Sequence, residues 1–255
     1  MDNEIIIRCE DSIDSIFSAI YDGFVYKKKI QEQYKDNISI AIGVSTQMNL
    51  FSTEIEVETD MEKATRTIDA IHRKLGYMTF NQVMRALCHF DEDRATVVFG
   101  YLVRAFRYGP RVNEHLADEY VVRVMELARK VSNEEQRFKG FIRFSNKGDY
   151  LFGQIEPKCD VLPIISDHFM DRYPNENFIL YDTIRKYALV HQVGKEGFFM
   201  RDVEPSGSEL AITDEFEKLW KRYFEVMAID ERKNEKCQNN NMPIWYRKNM
   251  IEFGG

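Results

Sequence analysis

The stretch Gly140-Phe141-Ile142-Arg143-Phe144-Ser145-Asn146-Lys147-Gly148-Asp149-Tyr150-Leu151-Phe152-Gly153-Gln154-Ile155-Glu156 decides the fold class. Aromatic and β-branched residues flank Asn146-Lys147-Gly148-Asp149, whose side chains and glycine suit a tight turn. The pattern predicts two antiparallel strands, Gly140–Phe144 and Tyr150–Glu156. Pro163 then fits the first turn of a helix that carries Ile164, Ile165, His168, Phe169 and Tyr173. Three further strands are expected at Phe178–Asp182, Ala188–Val193 and Phe198–Val203, the last two joined by Gly194-Lys195-Glu196-Gly197. Asp214-x-x-Glu217 predicts an amphipathic helix with Phe216, Leu219, Trp220, Tyr223, Phe224 and Met227, followed by an ordered tail.

Upstream the character is helical. Ile5-Ile6-Ile7 reads as a short buried strand, and Asp11-Ser12 as the cap of a helix with Ile13, Phe17, Ile20 and Phe24 on one face. Ile38–Val44 and the Ile55/Val57 pair mark two more strands. Thr59-x-x-Glu62 and Thr79-x-x-Gln82 read as capping boxes of two helices. Two more helices are expected over about Asp93–Phe106 and Glu114–Val131. Segregated helices and hairpins argue an α+β fold: a helical block plus an antiparallel sheet built from hairpins around a helix, with a C-terminal helix. The expected division is 1–131, strands and helical lobe, and 132–255, sheet lobe with helix and tail. One compact domain is the alternative.

Composition narrows the function classes. With 44% hydrophobic residues in 255, the chain can bury a large core. No run approaches the ~18 apolar residues of a membrane span, so no membrane association is expected. The acidic start Met1-Asp2-Asn3-Glu4 is unlike a secretory signal, and a cytoplasmic protein is expected. Cys9, Cys88, Cys159 and Cys237 stand far apart, which argues for reduced thiols and against a metal or iron–sulfur cofactor of the chain's own. A net charge of −7 disfavours a protein that coats nucleic acid. The charge is uneven, however. Arg104–Lys147 holds ten Lys or Arg against six Asp or Glu, a net of +4, whereas Met1–Leu75 holds nine against fourteen, a net of −5. A local anion-binding face is therefore open, with solvated helix faces as the plainer explanation.

Catalytic signatures are scarce. The phosphate loop and the G-x-G-x-x-G fingerprint are missing, as are the zinc-deaminase pattern and the nucleophile elbow. Glu134, Arg137, Lys139 and Arg143 form a first polar cluster. Its cations could hold phosphates beside Phe141, which an alternating strand would place on the face of Arg143. The alternative is a core strand with Arg143 paired to an acid. Glu156, Asp160 and His168 form a second cluster, able to supply acid–base groups or an oriented metal ligand, or else a half-buried structural histidine. Tyr181, Asp182 and Arg185 read as a hairpin clamp, with Asp182 capping the turn and pairing with Arg185.

Several of these stretches occur in a fixed order that resembles a known family. They are Glu134-Glu135-Gln136-Arg137 leading to Gly140-Phe141-x-Arg143-Phe144; Ile155-Glu156-Pro157 with Asp160-Val161-Leu162-Pro163; His168-Phe169-x-x-Arg172-Tyr173-Pro174; and Leu180-Tyr181-Asp182-x-x-Arg185. The tail adds Trp220-x-x-Tyr223-Phe224, Glu231-Arg232-Lys233-Asn234, Met242-Pro243 and Tyr246-x-Lys248. The pattern resembles an uncharacterised bacterial family of DNA-metabolism and DNA-repair proteins. Its members accompany a separate radical-SAM protein, and related domains occur fused to uracil-DNA glycosylase-like domains. One departure is Ile244-Trp245-Tyr246, where the family has a Tyr-Trp pair.

The resemblance implies a nucleic-acid-binding protein, or an accessory of the radical-SAM partner, whose contacts would come from Arg137, Lys139, Arg143, His168, Arg172, Arg185, Arg232 and Asn234. Since the chain lacks a C-x-x-x-C-x-x-C motif, radical chemistry would belong to the partner. The resemblance carries no catalytic residue over. A hydrolase or glycosylase-like enzyme using Glu134, Glu156 or Asp160, and a purely structural interaction module, are the alternatives.

Overall fold

A computed structural model describes residues 4–29, 38–43, 52–202, 219, 222–223, 235–247 and 250. The chain forms two compact units, Met1–Val131 and Ser132–Gly255.

The first unit is built on a three-stranded parallel sheet of order β2-β1-β3. Its strands are β1 (Glu4–Cys9), β2 (Ile38–Ile42) and β3 (Ser52–Glu56). The apolar run Ile5-Ile6-Ile7 suits the central position. Ile7 is fully buried and lies opposite Ile40 on one side and Ile55 on the other. Helix α1 (Ile13–Lys29) connects β1 to β2, as a parallel pair requires. Ser12 caps it, its Oγ accepting from the Ser15 N–H at 3.2 Å.

Helices α2 (Met61–Leu75), α3 (Tyr77–Leu87) and α4 (Arg94–Tyr108) follow. Neither capping box sits where the sequence pattern places it. Asp60, not Thr59, caps α2, accepting from the Glu62 and Lys63 N–H groups. Thr79 lies inside α3, which starts two residues earlier behind Gly76 at φ +83°. A 3₁₀ turn, Gly109–Glu114, then leads to the long α5 (Glu119–Phe141), within which the division between the units falls.

β2 is an edge strand, and an edge exposes backbone groups. Thr96 of α4 closes one such position. Its hydroxyl accepts from the Ile40 N–H at 2.9 Å and donates to the Ile40 carbonyl at 2.8 Å. One side chain thus satisfies both polar groups of a residue that is itself buried.

The second unit holds a five-stranded sheet of order β4-β5-β6-β7-β8. Its strands are β4 (Phe144–Asn146), β5 (Leu151–Ile155), β6 (Phe178–Asp182), β7 (Tyr187–His191) and β8 (Phe198–Arg201). The β4–β5 turn has the expected chemistry. Gly148 takes φ +91° and its N–H donates to Asn146 Oδ1. The sheet is mixed where an antiparallel one was expected, because β5 and β6 pair in parallel. The reason is α6 (Leu162–Arg172), which carries the chain back across the sheet between them. Rings of Phe144, Phe169, Tyr173 and Phe178 meet edge to face on the side that α6 covers. Gly153 leaves room for this packing, since a Cβ there would stand 3.0 Å from the Phe144 ring.

The largest correction concerns 132–144. Gly140–Phe144 is not a strand. Helix α5 runs through Phe141, and only Phe144–Asn146 is extended. The expected shared strand face of Phe141 and Arg143 therefore does not exist. Of the expected helix at 214–227, only Leu219, Arg222 and Tyr223 are described, all helical. The tail has two short helices, α7 (Glu235–Asn241) and α8 (Ile244–Arg247). No helix among the described residues is long and apolar enough to cross a membrane.

Thr96→Val keeps the shape of the side chain and removes its hydroxyl. It is expected to destabilise the protein by about 1–3 kcal/mol, because the two Ile40 groups lose their partner. Chemical denaturation checks this, and an unchanged midpoint would refute the role assigned to Thr96.

Candidate functional site

The carboxyl ends of parallel strands present loops side by side. Here the loop after β5, Glu156-Pro157-Lys158-Cys159-Asp160, lies next to the turn after β6, Asp182–Arg185. The Thr183 N–H donates to the Ile155 carbonyl at 3.0 Å. The first loop is gripped along its whole length. Glu134, buried on α5, accepts from the Lys158 and Cys159 N–H groups, both at 2.9 Å. Arg185 donates to the carbonyls of Pro157 at 3.3 Å and Lys158 at 2.7 Å. The Trp245 indole of α8 donates to the Glu156 carbonyl at 2.8 Å. The Tyr187 hydroxyl donates to Asp160.

The clamp anticipated at Asp182 is formed. Its carboxylate accepts from the Ile184 and Arg185 N–H groups at 2.8 and 3.0 Å and meets the Arg185 guanidinium at 3.3 Å. Asp182 is fully buried, and burial raises its pKa against the pull of these donors. Burial also pushes the Tyr187 phenol far up, and the Asp160 carboxylate it bonds to adds to the effect.

Motif residues widely separated in sequence thus meet around five residues. Arg137 joins them through Tyr246, with its guanidinium 5.3 Å from the ring centroid. Tyr246 packs edge to face on Phe138 at 5.1 Å, and burial raises its hydroxyl pKa. At the centre Cys159 is 2% exposed. On the outside Lys158 is exposed, with Nζ 5.3 Å from the Trp245 ring centroid. The departure at Ile244-Trp245-Tyr246 therefore leaves both aromatics employed.

The other expected residues are placed elsewhere. Lys139 pairs with buried Glu135 at 2.6 Å along α5. Arg143 donates to the carbonyls of Gly140 and Ile142, closing the end of α5. Arg172 is exposed at the end of α6, beside Tyr173. Arg232 and Asn234 lie outside the described residues. The catalytic candidates have different bonding partners. Glu134 and Asp160 bond to the backbone and to Tyr187 respectively, and Glu156 meets the site through its carbonyl. Among the described residues no group of three or more His, Cys, Asp or Glu is placed to hold a metal. Sequence reading missed Lys158 and Tyr187, and named Trp245 in the tail without its partner, the Glu156 carbonyl. Lys158 was within sight, framed by Pro157 and Asp160.

A family model for a domain of unknown function, DUF4130, matches residues 92–252, more than half of the chain. The chain belongs to the DUF4130 family. Every clamp residue above lies inside the DUF4130 match. No curated protein matches the sequence. One solved structure, described as the DHH domain of a member of a family of ribosomal proteins, is 11% identical and the match covers 76% of this chain and 74% of that one. Its TM-score of 0.30 is too low for a shared fold.

Glu134→Ala is expected to leave the Lys158 and Cys159 N–H groups without a partner. The loss should be about 1–3 kcal/mol in stability, and Cys159 should become open to thiol labelling. Mass-spectrometric labelling of Cys159 checks this, and continued protection would show that the loop holds without Glu134.

His168 carries a pH dependence of its own. Its Nε2 is buried and has no hydrogen-bond partner among the described residues. Its pKa is lowered by burial and then by the positive charges of Lys139 and Arg172, against Asp171 and Glu135. A histidine whose folded pKa lies below the ordinary 6.5 stabilises the fold while neutral. That contribution is present above the unfolded pKa and is lost as pH falls through the folded value. Between about pH 7.5 and about pH 5 the wild type should therefore lose more stability than His168→Gln. Parallel urea titrations of the two at both pH values measure the difference.

Proposed function

We propose that the protein serves DNA metabolism or repair as a nucleic-acid-binding accessory to a separate radical-SAM protein, and that the clamped loop 156–160 is its contact surface. The observation that carries this reading is the grip on that loop. Glu134, Arg185, Trp245 and Tyr187 come from four different elements and hold five consecutive residues, yet Lys158 is left exposed against Trp245. A loop so restrained presents its cation and its aromatic in one fixed geometry, which is what a binding surface needs and a connection does not. A cation next to an aromatic face suits a phosphate with its neighbouring base. Exposed Lys186 adds positive charge close by, whereas Arg185 is paired with Asp182. The family resemblance supplies the DNA context and the radical-SAM partner. That partner would bring the chemistry, and this chain the recognition. A hydrolase built on paired carboxylates has less behind it, since Glu134 and Asp160 are both engaged in holding structure.

The test is a fluorescence-anisotropy titration of the whole protein with single-stranded, duplex and uracil-containing DNA at two salt concentrations. Lys158→Gln touches an exposed side chain and leaves the clamp intact. It should weaken binding several-fold and reduce the salt slope by about 0.7–0.9. Binding indifferent to this substitution would move the contact away from the loop. A lack of binding to any DNA, together with no association with the radical-SAM protein, would refute the reading.

A further inference from the structure

Helices α1 and α2 pack side by side, and two neighbouring concavities along them, which share Val25, differ in charge. One is a cleft of about 780 Å³ whose wall includes the carboxylates of Asp22, Glu56, Glu58, Asp60 and Glu62, with Lys63 the cation among them. The other is a groove of about 400 Å³ with no carboxylate in its lining. Tyr21, Phe24 and Lys28 reach it from α1 at helical spacing, Arg66 and Lys74 from α2, and Phe106 from α4. Three aromatics and three cations thus share one concavity in the unit that includes the strongly acidic stretch Met1–Leu75.

The floor is firm. Phe24 meets Phe99 and Phe106 edge to face, with centroids 5.3 and 5.4 Å apart. Lys74 leans over the Phe106 ring with Nζ 5.8 Å from its centroid. Arg66 is held by Glu62 at 2.5 Å. Lys28 is exposed and has no ion-pair partner among the described residues. Lys28 and Lys74 stand in the last turns of their helices, where any lysine offsets the negative end of the helix dipole. Dipole compensation accounts for the two charges. It does not account for their convergence on an aromatic floor from which acids are missing.

Planar apolar surface next to cations is the chemistry that holds a nucleotide, the base on the rings and the phosphate on the cations. We propose that the α1–α2 groove binds a nucleotide unit, its base against Phe24 and Phe106 and its phosphate between Lys28 and Lys74. The unit comes either free or as part of a single strand. This site is separate from the loop 156–160 and does not depend on it. Of its six named residues only Phe106 lies within the stretch that the family model matches.

The whole protein is titrated with a fluorescein-labelled oligothymidylate and, separately, with thymidine monophosphate, and hydrogen exchange is followed over 13–29 and 61–75. Protection there by the oligonucleotide alone identifies the ligand as a strand. Protection by the mononucleotide identifies it as a free nucleotide. The double variant Lys28→Gln/Lys74→Gln, both exposed positions, should lose about tenfold in oligonucleotide affinity per cation at about 50 mM salt, with a salt slope lower by about 1.4. Ala70→Glu, which puts a carboxylate in the groove wall, should abolish the protection. Protection absent from both helices with both ligands overturns the proposal. So does a double variant that binds as the wild type does. Binding lost in Lys158→Gln but kept in the double variant would overturn the groove while sustaining the loop.

Discussion

The buried carboxylate of Glu134 takes two backbone N–H groups from the loop after β5, and the rest of the second unit is arranged around that bond. A charge buried to 6% exposure is costly unless it is fully hydrogen-bonded. Two amide donors on its two oxygens meet that requirement without a cation. The loop in return obtains partners for N–H groups that no strand or helix would satisfy. Arg185 completes the arrangement from the other side by taking the carbonyls of Pro157 and Lys158. The loop backbone is therefore read by an acid on its donor side and by a base on its acceptor side. Replacing Glu134 by an apolar residue would strand the N–H groups, and replacing Arg185 would strand the carbonyls.

This dependence explains why α5 must stay helical as far as Phe138. Glu134, Glu135 and Phe138 are all nearly buried, and only a helix brings positions three and four apart onto one side. Reading Gly140–Phe144 as a strand gave weight to Phe and Ile, which favour strands, and to Gly140, which weakens a helix. The competing signal was present in the residues. Glu135 and Lys139 stand at i and i+4 and form a bond of 2.6 Å, and Val131 and Phe138 continue the apolar spacing of the preceding helix. Tertiary packing overrode local propensity, and the packing partner, the loop 156–160, was too distant in sequence to be weighed.

The other departures have comparable causes. α+β organisation, most strands and the Pro163 helix entry were legible, because each rests on local patterning and turn chemistry. The parallel pairing of β5 with β6 was not, since strand order follows from how α6 crosses the sheet rather than from either strand's residues. Neither expected capping box forms: Asp60 alone caps α2, and α3 follows Gly76 without a side-chain cap. At α2 the Asp60 side chain takes the role assigned to Thr59, aspartate being the stronger N-cap of the two. At the site, Asp182 and Arg185 were readable because a turn confines them to each other. Tyr187 and Trp245 were not, because each meets its partner only after the chain has folded back from far away.

Net charge was the least informative global number. At physiological ionic strength the field of an exposed charge decays over about 8 Å, so a ligand on one face is nearly blind to carboxylates on another. What matters is the sign of the groups within that distance. Helix α2 illustrates the point along its own length: Asp60 and Glu62 line one concavity, and Arg66 and Lys74 line the next. Arg66 is paired with Glu62 where the two adjoin, but between Glu62 and Lys74 the helix advances about 18 Å, more than two screening lengths. An anion approaching the far end therefore meets lysines and aromatics rather than the acidity of the whole chain. An overall charge of −7 is compatible with anion recognition wherever the fold groups its cations more closely than salt screens them.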